Sequence, residues 1–89
     1  MKYNVQVGSH VALVDLEMDG KGAFSGTITS KDFGIGKVSG LQTGNHLVGT
    51  ASLDGHSAKF DATISDSAIS GTLTAGWFFH ENFTGTLAA

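Results

Sequence analysis

The side chains able to do chemistry are few, and their spacing sets narrow limits on that chemistry. The four histidines are His10, His46, His56 and His80. A zinc site needs three or four ligands converging at about 2.0–2.3 Å, usually with a short-spaced pair among them. No two of these histidines have such spacing, and the chain has no cysteine to serve as thiolate ligand or nucleophile. Solvated histidines beside turns are the simpler reading, so no metal and no other cofactor is expected.

The densest cluster of large side chains is Gly76-Trp77-Phe78-Phe79-His80-Glu81-Asn82-Phe83, which holds half of the aromatic residues. Consecutive Trp77, Phe78 and Phe79 cannot all face inward on one strand, because successive side chains point to opposite faces. At least one ring must be exposed, bulged or folded over an opening. Two readings stay open: these rings line the mouth of a pocket or a partner patch, or they plug one end of the fold. His80 and Glu81 are the pair that could serve as acid and base. Asp15, Glu17 and Asp61 fall on the solvent side of regular strands. No Gly-x-Ser-x-Gly elbow presents a nucleophile, and the Gly-x-Gly spellings, such as Gly34-Ile35-Gly36, precede no helix that could cradle phosphate.

Composition excludes several partner classes. Five lysines, eight acidic residues and a formal charge of −3 give no cationic cluster for nucleic acid or for an anionic membrane surface. No run approaches the roughly 20 apolar residues of a spanning helix. Residues 1–7 alternate polar and apolar and lack the hydrophobic core of a signal peptide, so a cytoplasmic chain is expected. A mature exported chain would look the same. Eighty-nine residues allow one domain, spanning 1–89, with a thin core.

The elements that must position these residues are strands, because the dominant apolar period is two. Tyr3, Val5 and Val7 share one face; Val14, Leu16 and Met18 another; Ala58, Phe60, Ala62 and Ile64 form the most regular run. Turn residues at Asp19-Gly20-Lys21-Gly22, Thr43-Gly44-Asn45, Asp54-Gly55 and Ser65-Asp66-Ser67 separate the runs. Residues 35–41 are the least regular, with Val38 out of phase with Ile35 and Leu41. No helix longer than a turn is expected.

A unit of apolar–x–Gly–Thr–apolar recurs at residues 24–28, 47–51, 69–73 and 83–87. In each copy the glycine shares its face with the two apolar residues, where a strand must bend sharply or another backbone comes close. Small barrels require such coiling, and closure removes the exposed strand edges that a chain without proline leaves undefended. An all-β, antiparallel, up-and-down barrel of about eight short strands follows. These Gly-Thr strands joined by Asp-Gly turns resemble the small calycin-like β-barrel proteins of bacteria, most of them without assigned function. Residues 32–40 are similar to strands in the barrel lobes of transferrin-binding-protein-like surface lipoproteins. The resemblance implies the fold and carries no functional residue across.

The expectation is therefore a non-enzymatic barrel that binds a small apolar ligand or a protein partner. Its candidate ligand-binding residues are Phe24 and Phe60 inside and Trp77, Phe79 and His80 at the mouth. The alternatives are a solid barrel that works by self-association as a homo-oligomer, and a small isomerase or cyclase using His80 and Glu81.

Overall fold

Apolar residues at every second position can be buried only if that face of each strand turns away from water, and this chain achieves it by closing its sheet. The computed structural model describes all residues except 33, 54, 77, 78 and 89, and of Phe79 the backbone alone. It contains β1 (Lys2–Val7), β2 (His10–Met18), β3 (Ala23–Ser30), β4 (Gly34–Thr43), β5 (His46–Leu53), β6 (His56–Ser65), β7 (Ala68–Ala75) and β8 (Phe79–Leu87). Every strand pairs antiparallel with its sequence neighbour, and β8 pairs with β1 to complete a closed barrel. No helix occurs among the described residues.

Tight loops fix the register. Val7 pairs with His10, Thr43 with His46 and Ser65 with Ala68, so these hairpins turn in two residues. Such loops need positive φ, supplied by Gly8 at 61° in the first and by Asp66 at 53° in the third. In the longer β2–β3 turn the Asp19 carboxylate accepts hydrogen bonds from the backbone N–H of Lys21 (2.6 Å) and of Ala23 (3.0 Å). Those two bonds hold its carboxyl below the usual value of 3.8. One end of the barrel gathers the strand ends Val7, His10, Ser30, Gly34, Ala75 and Phe79.

Residues 35–41, irregular in the sequence pattern, belong to a regular strand. Gly36, Val38 and Gly40 face inward, while Ile35 and Leu41 are 75% and 67% exposed. The inward glycines hide the alternation, because a face written Gly-Val-Gly reads as apolar only at its centre. The core is built from Tyr3, Leu16, Phe24, Leu47, Ile69 and Phe83 and their neighbours. Tyr3 is fully buried, and burial pushes its phenol above the usual value of 10.0. Its hydroxyl lies 3.8 Å from the Met1 sulfur. Phe24 and Phe60 meet with ring centroids 5.8 Å apart at 55°, a tilted arrangement that aromatic pairs favour.

The outer face is mostly Ser, Thr and charged residues. A barrel embedded in lipid has the reverse pattern, with an apolar band outside.

The inward glycines, those of the repeated unit with Gly36 and Gly40, are where the strands approach closely. A Cβ on Gly49 would run into the carbonyl oxygen of Ser39 and stand 3.0 Å from the Gly40 Cα. At Gly85 it would lie 2.6 Å from the Asn4 oxygen, across the β1–β8 seam. These obstacles are backbone, so they cannot swing aside. Gly49→Ala is therefore expected to lower unfolding free energy by more than about 2 kcal/mol. Thr50→Ala, one residue on and facing outward, should lose less than about 1 kcal/mol. Denaturant unfolding of the two variants checks this, and equal losses would contradict it.

Candidate functional site

Inward glycine and alanine leave space that larger neighbours do not fill. A cavity of about 70 Å³ lies inside the barrel, its wall formed by apolar side chains that include Val5, Leu16, Val38, Ala51, Phe60 and Phe83. It presents no polar surface. Its size sets what it can hold. A dry apolar cavity of about 150 Å³ accepts benzene, and pockets for drug-sized ligands run from about 300 Å³ upward. The space here suits a few carbon-sized groups, or the tip of a larger molecule.

Among the described residues, the rim at the end that gathers Val7, His10, Ala75 and Phe79 carries one inward-facing charge. On β8 the residues Glu81, Phe83 and Gly85 share the inward parity. Phe83 lines the cavity and Glu81 stands two residues nearer the rim, about 7 Å along the strand. Glu81 pairs with Leu73, which also lines the cavity. Its Oε1 lies 3.4 Å from where a Cβ on Gly8 would stand, so the carboxylate leans on the β1–β2 loop at a residue with no side chain. Glu81 is half-buried.

His80 takes the opposite parity. It is exposed on the outer face, with its Nδ1 3.4 Å from the Thr74 hydroxyl. Adjacent residues on a strand point to opposite sides of the sheet, so His80 and Glu81 cannot act together on one bound molecule. Of the candidate ligand-binding residues, Phe60 lines the cavity and Phe24 packs against it in the core. Trp77 lies outside the described residues, as does the side chain of Phe79. The structure brings Phe24 and Phe60 together and puts His80 on the other side of the wall.

Two histidine–carboxylate pairs were not visible in the sequence. His10 Nδ1 meets Asp32 Oδ2 at 2.8 Å, joining the start of β2 to the β3–β4 connection. His46 Nε2 meets Asp61 Oδ1 at 2.8 Å across β5 and β6. Both pairs are solvent-exposed, and such surface pairs contribute at most about 1 kcal/mol. Strand register, not sequence spacing, brings them together. His56 is exposed at the start of β6. Among the described residues no group of three or more potential ligands could hold a metal ion.

Fold and cavity together define the class, a small closed antiparallel barrel with an apolar interior. Compared with family models, with curated proteins and with solved structures, the chain matches none. The dryness of the wall is open to a direct check. Val38→Thr keeps the side-chain shape but puts a hydroxyl against a surface with no partner. It should lower stability by about 1–3 kcal/mol. Val48→Thr, exposed on the outer face of β5, should change it by less than about 0.5 kcal/mol. A Val38→Thr variant as stable as the parent would show that water reaches the wall.

Proposed function

We propose that the chain is a non-enzymatic binding barrel whose interior takes a small apolar ligand or the apolar tip of a larger one. The apolar cavity at the barrel centre carries this reading. By the cavity scaling for core mutants, an empty space of about 70 Å³ costs on the order of 1.7 kcal/mol, a sizeable share of the stability of so small a domain. An apolar occupant would recover that energy and would be held by dispersion and desolvation alone.

The alternative, a solid barrel that self-associates through its surface, draws on the exposed apolar side chains. Those side chains are dispersed. Ile35 and Leu41 sit six residues apart on β4, about 20 Å along the strand, with Lys37 and Ser39 on the outer face between them. Leu41 faces Val48 across β4–β5, whereas Ile35 is reached from Leu13 only across Thr29. Two small patches favour a protomer face less than one continuous patch would.

Xenon is a suitable neutral probe, since it reports apolar space without polar contacts. Methyl resonances of Val5, Leu16 and Val38 should shift saturably under xenon pressure. Ala51→Val places two methyl groups in the same space and should abolish those shifts while the barrel stays folded. Shifts that persist in the Ala51→Val variant, or their absence from the parent, would contradict the reading.

A further inference from the structure

We infer that the interior site takes a short-chain alkylammonium: an aliphatic tail in the cavity and a protonated amine at Glu81. The inference rests on the ligand-binding reading above and adds the chemistry of the head group.

A wholly apolar wall can hold a tail but cannot orient it, so specificity must come from polar groups at the rim. Glu81 is the inward-facing carboxylate on that rim among the described residues. Among the described residues the Glu81 carboxylate has no hydrogen-bond or ion-pair partner, whereas the carboxylates that face His10 and His46 are engaged with those histidines. Asp32 and Asp61 are thus committed to surface pairs, and Lys31, the lysine of the same end, is exposed beside the β3–β4 connection. Glu81 combines an unpartnered carboxylate with an inward position above the cavity, which places it to recognise a cation.

The placement supplies both halves of such a ligand's contacts. Phe83, one inward position deeper on β8, and Leu73, opposite Glu81 on β7, put apolar surface against the carboxylate, whose Oε1 lies beside Gly8 of the β1–β2 turn. An ammonium donates hydrogen bonds that a carboxylate accepts, and charge-assisted bonds of this kind are the stronger class. A cavity of about 70 Å³, at about 30 Å³ for a water-sized group, seats the last two or three carbons of the tail, and about one more carbon bridges from there to the head at the rim. An anionic or long-chain ligand fits neither the charge nor the volume.

The test compares n-butylammonium with n-butanol, which has the same tail and no charge, by NMR titration at low ionic strength. Butylammonium is expected to bind about ten-fold more tightly than butanol. Glu81→Gln should remove that advantage while leaving butanol and xenon binding unchanged. Glu17→Gln, which removes a carboxylate from the outer face, should leave the advantage intact. Equal affinities in the parent, with xenon and butanol both seated on the cavity wall, would overturn the cation assignment and leave the apolar site standing. An advantage that survives Glu81→Gln would also overturn it. If xenon, butanol and butylammonium all fail to shift the wall methyls, both readings fall together.

Discussion

The structure depends on how closely neighbouring backbones approach at the inward glycines. Gly26, Gly49, Gly71 and Gly85 each occupy a position where a Cβ would collide with, or press on, the adjacent strand. Eight strands of six to ten residues can close into so narrow a barrel only if each coils strongly, and coiling forces backbones together on the inner side. Glycine permits that contact. Its lack of a side chain then has a second effect, because each inward glycine withholds volume from the core. The geometry that closes the sheet is therefore the geometry that leaves space inside it.

Closure also divides the side chains into two populations. Apolar residues of one parity make the core and cavity wall; serine, threonine and charged residues of the other face water. Each charged residue on a strand should then lie outside, and Asp15, Glu17, Lys37, Lys59 and Asp61 obey this rule. Glu81 departs from it by sitting inward at the rim. Violations of pattern in an otherwise regular small fold are where function is most reasonably sought.

Much of this organisation was legible in the sequence, for a physical reason. Period-two alternation and turn residues are local signals, so the eight strands, their antiparallel order and the inward role of the Gly-Thr units could be read directly. What was lost was lost where a local signal was diluted. Glycine at 36 and 40 masked β4 and hid the core role of Val38. The Gly8-Ser9 loop lacks the Asn-Gly or Asp-Gly spelling that marks other turns. Glu81 could not be placed because Trp77, Phe78 and Phe79 interrupt the alternation just before it. Counting back from Phe83 and Gly85 would have set it on the inward face and His80 outside. The His10–Asp32 and His46–Asp61 pairs depend on register between strands, which no local pattern encodes.

All of this requires that the β1–β8 seam be closed as firmly as the hairpins, since an open seam would turn the interior into a groove. Native-state amide hydrogen exchange measures that most directly. Hydrogen-bonded amides across the seam, in Tyr3–Val7 of β1 and in residues 83–87 of β8, should be protected to the same degree as those joining β3 to β4. Seam amides that exchange as fast as loop amides, while β3 and β4 stay protected, would show an open sheet and contradict the account.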